Sequence, residues 1–338
     1  MKTKNKCFSK TILLLIPVLL IIILSACRKT SNLKIGDQTD ALTAATSKAL
    51  RIASVTVYLA ANSNSADFQS LVNSAAAGDV IILRTGSHYV TTPITLPVGK
   101  NSITIRGESG AVIRKAPNTF NATAIEIQGN ANTVDLIELD GGNLPEAGII
   151  IYGQQNTISN SKIHNCGSSA AAGAGILLHN LGSPVCALNK VIGCSVYYNY
   201  MVGVSQHGHS DGTIRDNQIY QNGAEGLTVD ILSHNNYIYN NTLNLNNANN
   251  RGVGGIGIDD SNGNRIDNNT ISNTYYKSGI TFQNNVGGCD GTTVSNNHLT
   301  NNAQYGILQR FTQYVNTNTG LVNNIYSGNG FGTSYIQY

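Results

Sequence analysis

Polar residues recur at one repeated position in the middle of this 338-residue sequence, each four residues after a glycine. The repeated frame is the glycine followed by a short strand with apolar residues at alternate places. The seven equivalent polar residues are Tyr152, His179, His207, Asp230, Asp259, Gln283 and Arg310. Imidazole and carboxyl groups at the centre of this row are side chains that transfer protons at neutral pH. We therefore expect any chemistry to take place along this row.

His207 and Asp230 occupy consecutive copies of the frame. If the copies stack, the two residues lie about 4.8 Å apart, the spacing of hydrogen-bonded strands, with His179 on the other side of His207. A carboxylate beside an imidazole orients the ring and raises its pKa, as a general base requires. His209, two residues further on, is expected in a solvated loop.

Side chains alternate between the two faces of a strand, so Ile258 should point inward while Asp259 points outward. A second outward row then runs beside the first. Its members are Ile150, Leu177, Ser205, Thr228, Gly257, Thr281 and Leu308. The small residues in this second row would leave room for a sugar to approach.

A second motif alternates with the glycine frame, in which apolar residues enclose a polar turn that usually carries asparagine. Its copies are 158–163, 191–196, 214–219, 238–243, 266–271 and 294–299. Repeats of this length containing several strands predict an all-β solenoid, in which asparagines at one turn hydrogen-bond along the stack. Ahead of the repeats, Ser65-Ala66-Asp67 begins a short helix with Phe68 and Val72 on its apolar face, which predicts a cap for the first coil.

This pattern resembles the single-stranded right-handed parallel β-helix of the pectate lyase-like superfamily over about residues 65–330. The run from Val202 to His207, followed by the run from Glu225 to Asp230, is similar to the catalytic module of mannuronan C5-epimerases. The epimerase runs read Tyr-Gly-Phe-Asp-Pro-His and Asp-Gly-Phe-Val-Ala-Asp. Val202 replaces the tyrosine of the first run and Ser205 replaces its aspartate, and Tyr200 is the nearest tyrosine.

The resemblance implies an enzyme that abstracts the C5 proton of a uronic-acid residue in an acidic, alginate-like or pectate-like polysaccharide. The product would come from β-elimination by a lyase or from C5 epimerisation. His207 and Asp230 would be catalytic, and the expected substrate-binding residues are His179, Arg251, Asp259, Gln283, Arg310 and Tyr200. The sequence identifies no cofactor and leaves a metal requirement open; calcium could bind at Asp259, although no aspartate-rich calcium loop occurs.

Two other functions fit the same residues. A repeat protein with an exposed polar row could be a non-catalytic β-helix that binds glycan or has a structural role in the cell envelope. Asp230 and Asp259 could instead be the two carboxyl groups of a glycoside hydrolase.

The first 26 residues have the features of a targeting segment, because four lysines precede an apolar run that is short for a membrane span. The run ends in Leu24-Ser25-Ala26-Cys27, which resembles the lipobox of bacterial lipoproteins. We expect a signal peptide at 1–26, a flexible tether at 27–50 and a β-helix domain at 51–338. Cys27 would carry the lipid, anchoring an exported monomer to the outer membrane on its periplasmic or cell-surface side.

Without residues 1–26, the chain has 17 basic residues (21 minus four lysines) and 18 acidic ones. A nearly neutral domain has no basic surface for nucleic acid.

Four cysteines lie in the domain, at positions 166, 186, 194 and 289. In an exported protein we expect one disulfide among Cys166, Cys186 and Cys194. A zinc site is less favoured because no Cys-x-x-Cys spacing occurs. The extra length at 168–174 and 182–186 predicts loops that overhang neighbouring coils.

Overall fold

A computed structural model describes residues 54–117, 123–143, 145–169, 173–180, 186–284, 287–311 and 319–337. The predicted signal peptide, lipid attachment at Cys27 and tether all lie outside the described residues. Positions 170–172 and 182–185 of the two predicted overhanging loops lie outside them as well. No helix in the described ranges is long and apolar enough to cross a membrane.

Three parallel sheets form the fold, and each coil contributes one strand to each sheet in turn. The strands of the first sheet are Thr56–Leu59, Val80–Leu83, Thr104–Gly107, Thr133–Asp135, Thr157–Ser159, Lys190–Ile192, Thr213–Arg215, Tyr237–Tyr239, Arg265–Asp267, Thr293–Ser295 and Gly320–Val322. Those of the second sheet are Gly86–Val90, Ala111–Lys115, Glu138–Asp140, Lys162–His164, Ser195–Tyr197, Gln218–Tyr220, Thr242–Asn244, Thr270–Ser272, His298–Thr300 and Ile325–Ser327. The third sheet holds Ile94–Leu96, Ile125–Ile127, Ala147–Ile151, Ala174–His179, Val204–His207, Leu227–Asp230, Gly254–Asp259, Ser278–Asn284, Tyr305–Phe311 and Gly332–Gln337. The predicted solenoid is confirmed.

The glycine frames form the third sheet in the predicted register. His179 pairs with His207, which pairs with Asp230. Asp259 pairs with Gln283 and Gln283 with Arg310 in the same way. The alternating apolar residues of these strands are buried in a continuous core that runs through the coils. The predicted polar row is therefore a straight line of side chains along the solenoid.

The frame glycine is required by close packing between the third and second sheets. A Cβ atom added to Gly203 would lie 2.6 Å from the Gly226 carbonyl oxygen and 2.7 Å from Cγ2 of Ile219. At Gly255 it would lie 2.7 Å from Cγ2 of Ile271. No larger residue fits there without moving backbone, so the conspicuous glycine of the motif has a structural role.

Asparagine ladders hold the coils together at their corners. Asn241 is typical: its Oδ1 accepts from the Asn217 N–H at 3.0 Å, and its Nδ2 donates to Oδ1 of Asn269 at 2.9 Å. Nδ2 also donates to the Ile214 carbonyl at 2.9 Å, so the buried amide is satisfied. The predicted asparagine stack is confirmed, and equivalent ladders occur at the other two corners.

The predicted helical cap is Ser65–Ser74. Asn64 begins it with a capping box, because its Oδ1 accepts from the N–H groups of Ala66 and Asp67 and the Asp67 carboxylate accepts from the Asn64 N–H. Phe68 and Val72 are fully buried in the core. The helix thereby covers apolar surface that the first coil would otherwise expose to water.

The predicted disulfide among Cys166, Cys186 and Cys194 is wrong, because all three thiols are free and buried. Cys166 and Cys194 belong to different corners of the coil. The N–H of Cys166 donates to Oδ1 of Asn199 in one ladder, and the N–H of Cys194 donates to Oδ1 of Asn217 in another. Burial raises the pKa of Cys186 and of Cys194 to about 12, so both remain protonated.

Candidate active site

The centre of the polar row brings together the side chains that the sequence singled out. Nδ1 of His207 lies 3.3 Å from Oδ1 of Asp230, and the two side chains are 34% and 29% exposed. The ring centroid of His179 lies 4.8 Å from that of His207. Tyr152 continues the row with its ring edge-on to His179 at 5.8 Å. Four consecutive coils thus present a tyrosine, two imidazoles and a carboxyl group.

The protonation of the central pair differs from the predicted one. Burial and the neighbouring His179 lower the pKa of His207, and burial together with the carboxylates of Asp259 and Glu225 raises the pKa of Asp230 to about 7. An isolated His–Asp contact would shift both groups the opposite way. Desolvation and His179 outweigh it at His207, and desolvation and two further carboxylates outweigh it at Asp230. The pKa of His207 is therefore lowered, and the expectation of a raised one is wrong. At neutral pH the pair is a neutral imidazole beside a carboxyl group that is partly protonated.

The second row is largely buried rather than exposed. Thr228 donates to Ser205 Oγ at 2.9 Å, and Thr281 donates to the Val253 carbonyl at 2.8 Å. A Cβ atom on Gly257 would lie 3.0 Å from Val253 and 3.4 Å from Glu225. The space expected for a sugar at Gly257 is filled by these two side chains.

Glu225 is the site residue that sequence reasoning missed. Its buried carboxylate accepts a hydrogen bond from the Val253 N–H at 2.6 Å, and burial raises its pKa. It is also one of the groups that raise the pKa of Asp230. The sequence feature that could have identified Glu225 is its position directly before the frame glycine Gly226, where the corresponding epimerase run also begins with an acidic residue.

Tyr200 and Arg251 form the predicted pair of binding residues at the other end of the strands. Nη2 of Arg251 donates to the Tyr200 hydroxyl at 2.7 Å, and the guanidinium lies 4.8 Å above the Tyr200 ring. Both residues precede the frame glycine of their coil. Because Arg251 is exposed, its remaining donors face solvent and could bind a carboxylate.

Asp259, Gln283 and Arg310 continue the row away from His207. Asp259 is the neighbour of Asp230, since Val229 and Ile258 before them are paired. Arg310 lies three coils beyond Asp230, a distance of about 14 Å at the usual strand spacing. Its Nε is buried without a hydrogen-bond partner. These residues extend the polar row beyond the pair formed by His207 and Asp230.

Among the described residues, Asp259 belongs to no cluster of acidic side chains of the kind that binds calcium. Calcium takes six to eight oxygen ligands. Within the described ranges, no group of three or more histidine, cysteine, aspartate or glutamate side chains is arranged to hold a metal ion.

The chain matches a family model described as the right handed beta helix region over residues 147–325. The match covers 179 of the 338 residues, which is more than half of the chain. No curated protein matches the sequence.

Several solved structures share the fold at low sequence identity. Tailspike protein 2 of Escherichia coli O157:H7 bacteriophage CAB120 is similar with a TM-score of 0.58 and 17% identity, over 79% of this chain and 38% of the tailspike. The chain thus spans well under two thirds of that protein. Alginate lyase from Paenibacillus sp. str. FPU-7 has a TM-score of 0.54 and 13% identity, over 84% of this chain and 99% of the lyase.

A third structure is tailspike protein gp49 of Acinetobacter baumannii bacteriophage Fri1, a capsular polysaccharide depolymerase. Its TM-score is 0.54 at 14% identity, over 85% of this chain and 58% of the tailspike. At these identities the likeness concerns the fold alone. Together with the family match, it confirms the right-handed parallel β-helix, and the chain belongs to the right-handed β-helix family.

Proposed function

We propose that the protein cleaves a uronic-acid polysaccharide by β-elimination, with His207 as the base and Asp230 as the acid. One observation carries the proposal: an imidazole of lowered pKa lies 3.3 Å from a carboxyl group whose pKa is about 7. A neutral imidazole can accept a proton while a protonated carboxyl group donates one. The pair therefore holds both protonation states that elimination needs near neutral pH.

The chemistry follows from these two groups. His207 removes the C5 proton, and the negative charge that develops on the substrate carboxyl group needs cationic or hydrogen-bonding partners. Arg251 and His179 are the candidates for that role. The electron pair then forms the C4–C5 double bond as the bond to the 4-O-linked sugar breaks, and Asp230 protonates the leaving oxygen.

The arrangement favours elimination over epimerisation. Epimerisation requires a proton to leave one face of the sugar and another to return to the opposite face. His207 and Asp230 are neighbours in one row and would approach a bound sugar from the same side. The fold supports a polysaccharide substrate, since an alginate lyase and a capsular polysaccharide depolymerase are built on it.

A glycoside hydrolase is the second candidate, and the raised pKa of Asp230 favours it. Asp259 is one of the groups that raise this pKa. Paired carboxyl groups with separated pKa values are the usual acid and base of glycosidases.

The substrate and the reaction can be tested together by incubating the protein with alginate, pectate and glycosaminoglycans. We expect ultraviolet absorbance from unsaturated products with at least one of them, and no change of C5 configuration by NMR. New reducing ends without unsaturation would indicate the hydrolase. Binding without turnover would indicate the non-catalytic alternative.

Asp259→Asn separates the lyase from the hydrolase. A hydrolase should lose its activity, whereas the lyase should retain part of it with an altered pH profile. Removing the Asp259 charge lowers the pKa of Asp230. Because Asp230 must be protonated to act, the alkaline limb of kcat/KM, near pH 7 in the wild type, should move to lower pH. Asp211→Asn, at an exposed turn, is the matched control and should leave the profile unchanged.

We also propose that Cys27 is lipidated, as the lipobox-like run indicates. Labelled fatty acid should be incorporated into the wild type and lost in Cys27→Ser. Cys7→Ser is the matched control, since Cys7 precedes the apolar run and should not affect labelling. Equal labelling of the wild type and Cys27→Ser would contradict the proposal.

A further inference from the structure

One corner ladder is interrupted next to the candidate site. Asn189 and Asn236 occupy the ladder position in two coils, and Gly212 occupies it in the coil between them. The Gly212 N–H donates to Oδ1 of Asn236 at 2.9 Å, and the N–H of Thr213 donates to the Asn189 carbonyl at 3.0 Å. The backbone of the ladder is therefore continuous while one side chain is missing.

The imidazole of His209 fills the gap, so its expected place in a solvated loop is wrong. His209 is fully buried, and a Cβ atom on Gly212 would lie 2.0 Å from Cε1 of its ring. Nε2 accepts from the Asn189 N–H at 3.3 Å, and Nδ1 lies 3.0 Å from Oδ1 of Asn236. Burial lowers the pKa of His209 to about 4. The neutral ring therefore accepts at one nitrogen and donates at the other, which replaces the missing amide.

His209 also contacts Gln206, which an asparagine ladder does not require. The side-chain amide of Gln206 lies 3.1 Å from Nδ1 of His209. Because the Nδ1–H donates, the amide bonds it with Oε1 turned toward the ring, and this orientation satisfies the Gln206 oxygen that is otherwise buried without a hydrogen bond. The paired positions in the adjacent coils are the apolar Leu178 and Val229. His207 thus lies between two buried polar residues that contact each other.

The turn after His207 is also fixed by its backbone. Gly208 has a φ of +68°, a left-handed conformation that redirects the chain so that His209 enters the interior. The N–H of Gly208 donates to the Asp230 carbonyl at 3.3 Å, and the N–H of His209 donates to Ser233 Oγ at 3.0 Å. His207 is held in register with Asp230 by these contacts.

We propose that His209 is a positioning residue, which fills the ladder and holds Gln206 so that the imidazole of His207 points along the row toward Asp230. The expected loss of kcat rests on the proposed function, whereas the effect of His209 on the orientation of His207 is independent of it.

A restored ladder separates positioning from simple filling. In His209→Ala with Gly212→Asn, an asparagine takes the ladder position as it does in other coils, and the histidine that clashes with a side chain at 212 is gone. If His209 only fills space, this double variant should match the wild type in every respect. If His209 positions His207, the double variant should regain the unfolding temperature of the wild type. It should not regain the His207 pKa or the kcat of the wild type.

The measurements are thermal unfolding, NMR titration of the His207 imidazole without substrate, and kinetics. We expect a lower unfolding temperature in His209→Ala and recovery in the double variant. The pKa of His207 should rise toward its ordinary value of 6.5 in both variants, because a loosened ring is better solvated and further from His179. The value of kcat should fall by about 10–100-fold, the effect of a displaced catalytic group, with little change in KM.

A folded double variant with the wild-type His207 titration would overturn the proposal. If the double variant does not fold, Gln206→Leu decides by the same titration, since leucine occupies the equivalent place in the preceding coil and the ladder stays intact. An unchanged His207 titration in Gln206→Leu would then overturn it. A wild type that is inactive on every polysaccharide would remove the proposed function and leave this titration test unaffected.

Discussion

His207→Ala is expected to abolish measurable turnover while the protein remains folded. Removing a general base costs about 10²–10⁴-fold in rate. The side chain is 34% exposed and points away from the core, so its loss opens no cavity. The measurement is the initial rate of unsaturated-product formation at saturating substrate, accompanied by thermal unfolding of both proteins.

His298→Ala is the matched control for this variant. His298 is an exposed histidine on the second sheet, on a different face of the solenoid from the polar row. Its removal should leave the rate unchanged. Full activity of His207→Ala on the true substrate would mean that another group removes the proton, and the assignment of the base would have to be abandoned.

Ile258→Asp is expected to cause the largest loss of stability. Ile258 is fully buried, and it pairs with Val229 and Phe282 in the adjacent coils. An uncompensated buried charge costs about 3–5 kcal/mol. Because each coil contacts only its neighbours, the damage should be greatest in the coils around residue 258. Denaturant unfolding gives the loss of stability, and hydrogen exchange locates it.

The control introduces the same charge on the outside of the same coil. Thr270 is an exposed residue of the second sheet, and Thr270→Asp should change the unfolding midpoint little. Equal midpoints for wild type and Ile258→Asp would show that residue 258 does not face the core. The outward orientation assigned to Asp259, which depends on that of Ile258, would then also be wrong.

The features that repeat were predictable from the sequence. The frame glycines mark places where backbone and side chains of the second sheet leave no room for a Cβ atom, and the asparagines mark the corners. Since every coil meets the same constraints, the seven polar residues align from the sequence alone. The contact between His207 and Asp230 followed from that alignment alone.

The features that break the repeat were not predictable. His209 enters the core because Gly212 lacks a side chain, and nothing in the spacing relates the two. Glu225 and Val253 fill the space beside Gly257, and both lie outside the repeated frame. Burial and His179 lower the pKa of His207, and burial, Asp259 and Glu225 raise the pKa of Asp230. The sequence predicted the wrong direction for His207 because only its contact with Asp230 was considered.

The asparagine ladders also bear on how the protein ages chemically. In an asparagine–glycine sequence, the glycine backbone nitrogen readily attacks the asparagine side chain, and the amide is lost as ammonia. Asn222 and Gly223 form such a sequence, but the Gly223 N–H donates to the Asn199 carbonyl at 2.8 Å and the Asn222 amide donates to Oδ1 of Asn246 at 3.0 Å. Attack would require both hydrogen bonds to break. The rate of deamidation at Asn222 would therefore measure how often that coil opens.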